Sequence, residues 1–181
     1  MDATELRALQ APLKQRYKDS PETACTPAHA TGDFSSPGVT TTVHGWAGPV
    51  RAGLHPAAGG DGSDACSADM LMDALVGCAG VTLRSVATVM GLDIRGAAVR
   101  ADGVWDARGT LGVDRTVPVG VTDVVVTIDL DADVDDATLE RLAAATERYC
   151  VVGQSLAQPP RFVVRRGVSS AGRCLGDDRS R

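Results

Sequence analysis

SADMLMDALVGCAGVTLRSVATVM, residues 67 to 90, is the stretch that decides the fold of this chain. Ser67 is a suitable N-cap, and the carboxylate of Asp69 in the first turn suits the positive end of a helix dipole. Gly91 follows as a typical C-cap. The stretch therefore predicts a single long helix.

Apolar side chains occupy nearly every face of this predicted helix, which indicates that it is buried on all sides. They are Met70, Leu71, Met72, Leu75, Val76, Val81, Leu83, Val86 and Val89. A chain of 181 residues can hardly enclose such a helix alone. We therefore expect a homodimer with this helix at its centre, where Gly77, Ala79 and Gly80 would allow another backbone to approach closely.

The segments on either side alternate between helix and strand patterns. Before the long helix, we predict a helix over residues 1–20 that kinks or stops at Pro12, a loop from Pro21 to Gly38, and strands at 39–44 and 50–54. After it, we predict strands at 98–105 and 121–130, a helix at 135–149 and a strand at 161–164. This order predicts an α+β fold with helices segregated from an antiparallel sheet. The expected organisation is an N-terminal helix and linker (1–38), one domain (39–166) and a polar, disordered tail (167–181).

Composition excludes several classes of partner. The formal net charge is −5, and no basic run is present, so neither nucleic acid nor an anionic membrane surface is an expected partner. The N-terminus has no continuous apolar stretch typical of a secretory signal. Asp73 and Arg84 interrupt the most apolar window, so we expect no transmembrane span and a cytoplasmic protein.

The five cysteines, Cys25, Cys66, Cys78, Cys150 and Cys174, are an odd number without the spacing of a disulfide framework. A thiol that reduces peroxides needs a second thiol to resolve its sulfenic acid. Cys78, in the long helix, and Cys150, at the end of the later helix, could form such a pair. The residues alone also allow the plainer interpretation, in which both are small buried hydrophobic side chains.

Three groups of residues carry a resemblance to a known family. The run from Asp69 to Leu83, with Gly77-Cys78 inside it, resembles the signature helix of the OsmC/Ohr family. Gly59-Gly60 resembles the glycine-rich approach to that helix, and the segment Glu147 to Cys150 resembles the second cysteine of the family. The resemblance covers roughly residues 39 to 165.

The resemblance implies an OsmC-like fold: an intertwined homodimer in which an antiparallel sheet wraps around the long central helices. It implies that Cys78 is the peroxidatic thiolate and Cys150 the resolving thiol, and that the substrate is a small-molecule organic hydroperoxide. A lipoyl or other dithiol would be the reductant, with no cofactor and no metal. Asp69 and Arg51 would supply the carboxylate and the guanidinium that activate the thiolate in peroxidase members.

The sequence departs from the pattern of those members at three points. No Pro precedes the helix, and Asp69 stands where they carry a longer Glu. The surroundings of Arg51 differ from the family's Arg motif, so Arg84, presented by a partner subunit, is the alternative cation. Val151 follows the second cysteine, where Pro is frequent. The pattern is closer to the broad OsmC-like branch than to the dedicated hydroperoxide reductases.

Other interpretations remain open. The chain could be a non-catalytic dimer that binds a small apolar ligand at its interface, or its thiols could react with another electrophile. Cys66, His44 and His55 could suggest a metal site with Cys78, although the spacing matches no zinc motif. We interpret Gly59 to Gly62 as a flexible segment, Asp73 as a buried partner of an Arg across the dimer, and the N-terminal helix as a cover that narrows the pocket.

Overall fold

A computed structural model describes residues 1–34 and 37–167 of the chain. The helices are α1 (Ala3–Asp19), α2 (Ser67–Val89), α3 (Ala107–Thr110), α4 (Asp136–Tyr149) and α5 (Val151–Gln154). The strands are β1 (Thr31–Asp33), β2 (Thr40–Gly45), β3 (Gly48–Gly53), β4 (Ala65–Cys66), β5 (Ile94–Val104), β6 (Thr122–Ala132) and β7 (Arg161–Arg166). The predicted α+β class is confirmed.

These elements form two compact units. One contains the first three residues, Val76–Asp102 and the chain from Val124 on; the other contains Thr4–Leu75 and Gly103–Asp123. The α2 helix contributes to both units. The predicted domain boundaries at residues 38 and 166 stay a prediction, and the predicted tail lies, apart from Gly167, outside the described residues.

A four-stranded sheet in the order β1-β2-β3-β4 belongs to the second unit. Neighbouring strands are antiparallel from β1 to β3, and β2 pairs with β3 from Thr40 opposite Gly53 to Gly45 opposite Gly48. Two-residue β4 then pairs with β3 in parallel. Cys66 ends β4, so this short strand fixes the chain immediately before α2.

A three-stranded sheet in the order β5-β6-β7 belongs to the first unit. On β6, alternate side chains are buried: Val124, Val126, Ile128, Leu130 and Ala132. Leu139 and Leu142 of α4 are buried as well, and α4 packs against β7. These small and branched side chains form the core of the unit, as the low aromatic content requires.

The expectation of a purely antiparallel sheet is wrong for two strand pairs, since β7 runs parallel to β6 and β4 runs parallel to β3. The reason for the first is that α4 connects β6 to β7. A crossover through a helix that packs on the sheet can return the chain to the sheet in its original direction, as parallel pairing requires. Both sheets are therefore mixed.

The α2 helix has the predicted bounds. Gly91 adopts a left-handed conformation with φ 71°, and the backbone N–H of Leu92 donates to the carbonyl oxygen of Ala87 at 3.0 Å, which closes the helix. The prediction of burial on all sides does not hold within one chain. Only the stripe Leu75, Ala79, Leu83 and Ala87 is buried, whereas Val81 is 73% exposed.

By length and composition, α2 is the one helix among the described residues that is long and apolar enough to cross a membrane. Its most apolar window has a mean hydropathy of 1.4, despite the charges of Asp73 and Arg84 that we expected to exclude a span. The core helix of a soluble protein has the same properties. Its repeat of buried residues at every fourth position is typical of a helix packed against protein.

The α1 helix runs through Pro12 without stopping, so of the two predicted effects of Pro12 the early end is wrong and the kink stays a prediction. Pro12 lies ten residues into the helix, where the missing N–H costs one backbone hydrogen bond. No residue of α1 is buried, and Leu9 is 59% exposed. The predicted role of α1 in covering a pocket of a dimer remains a prediction.

Candidate active site

Cys150 lies at the junction of two helices. It is the C-cap of α4, where its backbone N–H donates to the carbonyl oxygen of Thr146 at 3.0 Å. It is also the N-cap of α5, since its sulfur accepts from the backbone N–H of Gly153 at 3.4 Å. The residue is fully buried. Its extended backbone between two helices is the reason that the sulfur turns back toward the start of α5.

Cys78 lies near the middle of α2 and is half-buried. It directly precedes Ala79, which belongs to the buried stripe of the helix, and it follows the exposed Gly77. Cys78 and Cys150 belong to the same unit, and each thiol influences the pKa of the other. The fold therefore brings together the two cysteines that the sequence analysis paired.

The surroundings of Cys78 favour its thiolate. Burial is the largest single influence and acts to raise the pKa of this thiol. Four hydrogen bonds to the sulfur act in the opposite direction: the backbone N–H of Val152, the thiol of Cys150, the hydroxyl of Thr82 and the backbone N–H of Val151. Together they hold the pKa of Cys78 below its ordinary value, because each donor stabilises the negative charge.

The surroundings of Cys150 favour its protonated form. Burial is again the largest influence and raises the pKa of this thiol. The backbone N–H groups of Gly153 and Val152 lower it, but the hydrogen bond to Cys78 and the negative charge on that sulfur raise it further. The two pKa shifts run in opposite directions, so Cys78 is the more acidic thiol of the pair.

Such a pair is arranged for two successive reactions. A thiolate at Cys78 is partly accessible and can attack an electrophile. The neighbouring thiol of Cys150 can then form a disulfide with the modified sulfur. All four described cysteines, Cys25, Cys66, Cys78 and Cys150, are unbridged in the structure, so the pair is in its reduced form.

Arg51 and Asp69 lie elsewhere in the chain. Arg51 is on β3 in the second unit, where its Nε donates to Asp64 Oδ1 at 2.5 Å. Asp69 is exposed in the first turn of α2, nine residues before Cys78. Within residues 1–34 and 37–167, no hydrogen bond joins Arg51 to Asp69. The structure of one chain thus does not assemble the predicted carboxylate–guanidinium pair.

Arg84 and Asp73 also have clear positions. The guanidinium of Arg84 donates from Nη1 to the carbonyl oxygen of Ile94 at 3.1 Å, which ties the last turns of α2 to the start of β5. Asp73, for which we expected burial, is exposed in the single chain. Pairing of Arg84 or Asp73 with a second copy stays a prediction.

His44 and His55 have partners within the protein. His44 Nε2 lies 2.9 Å from Asp33 Oδ2, and His55 stacks edge-to-face on Trp105 with ring centroids 5.3 Å apart. The described residues contain no cluster of three or more His, Cys, Asp and Glu side chains that could hold a metal ion. Cys66 therefore has no described set of metal ligands around it.

Sequence reasoning missed the donors that surround Cys78. Val151 and Val152 act through their backbone N–H groups, which residue type does not reveal. Thr82 could have been found, because it follows Cys78 by four residues and so lies on the same face of the helix. Val151 and Val152 could have been found from the end of the helix at Tyr149, because the backbone N–H groups that follow have no helical partners.

Comparison with known proteins places the chain in a family. Residues 60–165 match the model of the family described as OsmC-like protein. No curated protein sequence matches the chain. The matched region contains both Cys78 and Cys150.

Solved structures with the same fold come from several bacteria. An OsmC-like protein of unknown function from Vibrio cholerae has a TM-score of 0.63 at 13% identity, covering 78% of this chain and 100% of its own. An organic hydroperoxide resistance protein from Elizabethkingia anophelis has a TM-score of 0.63 at 11% identity, covering 79% and 98%. An organic hydroperoxide resistance protein of Bacillus subtilis has a TM-score of 0.54 at 14% identity, covering 78% of this chain and 98% of its own. At these identities the structures establish the shared fold, and the family match over more than half of the sequence establishes that this chain belongs to the OsmC-like family.

Proposed function

We propose that this protein is a thiol-dependent peroxidase that reduces organic hydroperoxides through Cys78 and Cys150. The observation that carries the proposal is the polarity of the pair. Burial acts to raise the pKa of both thiols, but donors led by the backbone N–H of Val152 lower the pKa of Cys78, whereas the pKa of Cys150 stays raised. Membership of the OsmC-like family and the fold shared with organic hydroperoxide resistance proteins support it.

In the first step, the Cys78 thiolate attacks one oxygen of the O–O bond of the hydroperoxide. The O–O bond breaks, the sulfur is oxidised to a sulfenic acid, and the alkoxide leaves and takes up a proton to become the alcohol. Cys150 is the nearest described thiol and a source of that proton. The backbone N–H groups of Val151 and Val152 face the sulfur and would stabilise negative charge on the new S–O group.

In the second step, the Cys150 thiolate attacks the sulfur of the Cys78 sulfenic acid. A disulfide forms and hydroxide leaves, which becomes water on protonation. Two electrons from an external dithiol, of the lipoyl or another type, then restore both thiols. The protein itself needs no cofactor or metal for these steps.

Arg51 and Asp69 remain in the proposal as residues that activate Cys78 in a homodimer. We assign the exposed apolar face of α2, including Val81, to the interface with the second copy, since it would otherwise expose a large apolar surface to water. A Val81→Asp variant that sediments with the same mass as the wild type would contradict this assignment. We further propose a cytoplasmic location, where a dithiol reductant is available.

The deciding experiment is peptide mass mapping of the reduced protein after one equivalent of cumene hydroperoxide. We expect a Cys78–Cys150 disulfide that is absent from Cys78→Ser and unchanged in the control Cys25→Ser, whose exposed thiol lies outside the site. In Cys150→Ser, dimedone should trap a sulfenic acid on Cys78. Oxidation spread over all cysteines, or none, would refute the peroxidase mechanism.

The alternatives predict different outcomes of the same experiment. A non-catalytic dimer that binds an apolar ligand at its interface would leave Cys78 unoxidised by the hydroperoxide. Thiol chemistry on another electrophile would leave Cys78 unoxidised but readily alkylated. The partial exposure of Cys78 favours the second alternative over the first.

A further inference from the structure

A cavity of about 400 Å³ lies within the second unit, apart from the two cysteines of the active site. It is bounded by the turn after β3, the first residues of α2 and the connection between β5 and β6. Small-molecule sites in proteins have volumes of about 300 to 1,000 Å³. The cavity is therefore large enough for a compact molecule, such as a single substituted ring.

The lining of the cavity is mainly apolar and carries no carboxylate, ammonium or guanidinium, although Ser67, Thr110 and Cys66 also line it. Leu54, Leu71, Val119 and Val121 contribute aliphatic side chains, and the indole of Trp105 contributes a flat wall. No Asp, Glu, Lys or Arg is among the described lining residues. A charged ligand would lose its hydration there without gaining a counter-ion, so the cavity selects for neutral molecules.

His55 supplies a hydrogen-bond donor of fixed orientation at this wall. Its Nδ1 accepts from the backbone N–H of Ala57 at 3.0 Å, so this nitrogen carries no proton. A neutral imidazole then carries its proton on Nε2, which has no hydrogen-bond partner among the described residues. The edge-to-face contact with Trp105 holds the ring in place.

The turn that presents His55 is rigid for a steric reason. Gly59 has φ 95°, and the backbone N–H of Gly60 donates to the carbonyl oxygen of His55 at 3.1 Å. A Cβ at Gly60 would lie 1.7 Å from the carbonyl oxygen of Leu54, so no other residue fits. The two glycines thus fix the path of the turn that follows the lining residue His55, which gives them a structural role in addition to the flexibility that we predicted.

We propose that this cavity is a binding site for a small, neutral, mainly apolar molecule that carries one hydrogen-bond acceptor. The Nε2–H group of His55 donates a hydrogen bond to this acceptor. The aliphatic side chains and Trp105 bind its apolar body, and His55 orients the acceptor. This site is independent of the peroxidase mechanism, because it uses neither Cys78 nor Cys150.

The test is titration of the full-length, ¹⁵N-tryptophan-labelled protein, followed by NMR of the indole N–H groups. Acetophenone, which has one acceptor, should shift the Trp105 signal in a saturable manner. Trp46 is fully exposed and serves as the control in the same spectrum. Ethylbenzene, of nearly the same shape but without the acceptor, should bind roughly five-fold more weakly, as expected for one lost hydrogen bond. Benzoate should not bind.

Two variants test the assignment to this cavity. In His55→Asn the side-chain oxygen can still cap Ala57, but the ring donor is lost, so acetophenone and ethylbenzene should bind equally. In Ala68→Leu the larger side chain fills the cavity from α2 and should abolish binding, while Ala11→Leu at an exposed position of α1 should not. Acetophenone should also slow alkylation of Cys66, which lines the cavity, but not of the exposed Cys25.

The proposal would be overturned by any of three results. They are the absence of a Trp105 shift with acetophenone, binding that persists in Ala68→Leu, and equal affinity of the wild type for acetophenone and ethylbenzene. Each of these results leaves the disulfide experiment on Cys78 and Cys150 unaffected, so the two proposals fail separately.

Discussion

Cys78 and Cys150 share a hydrogen bond but differ in what surrounds them. Cys78 is half-buried on α2, and four neighbouring donors lower its pKa despite this burial. Cys150 is fully buried, and its two backbone donors do not offset the rise in its pKa that burial causes. The less buried thiol thus has the lowered pKa, and the more buried thiol has the raised pKa. The difference teaches that local hydrogen bonds, rather than depth alone, set which thiol of a pair is the nucleophile.

Removal of the nucleophile should have the largest effect. We expect Cys78→Ser to lower the rate of cumene hydroperoxide reduction by about 10³-fold or more, because a serine hydroxyl is not ionised at neutral pH. The measurement is steady-state turnover with a dithiol reductant. Cys25→Ser should keep the wild-type rate, and a Cys78→Ser variant with more than about a tenth of that rate would reverse the assignment of roles.

The pH dependence of alkylation should differ between Cys78 and Cys150, and this difference should be smaller than the effect of removing Cys78. Only the thiolate reacts, so the rate for each cysteine rises with pH and levels off above its pKa. The lowered pKa of Cys78 shifts its curve to lower pH than that of an ordinary thiol, and the raised pKa of Cys150 shifts its curve to higher pH. Iodoacetamide labelling followed by peptide mass analysis should therefore modify Cys78 first at every pH between 6 and 8. Equal labelling of Cys78 and Cys150 over this range would contradict the proposed difference between their pKa values.

Replacement of Cys150 should show whether its side chain stabilises the Cys78 thiolate, because Cys150→Ala and Cys150→Ser differ only in whether a hydroxyl donor is present. Cys150→Ala loses the hydrogen bond to Cys78, so the pKa of Cys78 should rise and its alkylation at pH 7 should slow about five-fold, as expected for a bond worth about 1 kcal/mol. Cys150→Ser keeps a donor and should slow alkylation less. Equal rates in the two variants would show that Cys150 does not stabilise the thiolate.

Thr82 should give the smallest effect. The Thr82→Val variant keeps the shape of the side chain but loses the hydroxyl that donates to Cys78, so the pKa of Cys78 should rise and alkylation at pH 7 should slow about two-fold. Thr88→Val is the matched control, because its hydroxyl donates instead to the carbonyl oxygen of Arg84 at 2.8 Å. A control that slows as much as Thr82→Val would indicate a general effect on α2.

The long helix could be predicted from the sequence because it depends on local patterns, whereas the cysteine pair was supplied by the resemblance to a family. The cap residues and periodicity of α2 are visible in the residues themselves, and Cys150 follows a helix with clear amphipathic spacing. The parallel pairing of β6 with β7 could have been inferred from the intervening helix. Short β1 and β4 could not, because three and two residues carry too little periodicity to distinguish a strand from a loop.

The activating groups were predicted less well, for a physical reason. We looked for a cation near Cys78 and chose Arg51, but within the chain Arg51 pairs with Asp64. The donors that the structure brings to Cys78 are mainly backbone N–H groups, which every residue except Pro carries. Sequence patterns report side chains, so an arrangement that uses the main chain leaves almost no trace in them.

The parallel pairing of β7 with β6 has a consequence for folding and oxidation. Cys150 lies between these strands in sequence, 72 residues after Cys78, so the two sulfurs meet only once this non-local crossover has closed. Contacts of such separation form late in folding, because loop closure must precede them. A newly synthesised chain therefore passes through a period in which Cys78 has neither its donors nor its partner, and oxidant present then would form mismatched disulfides with Cys66 or Cys25.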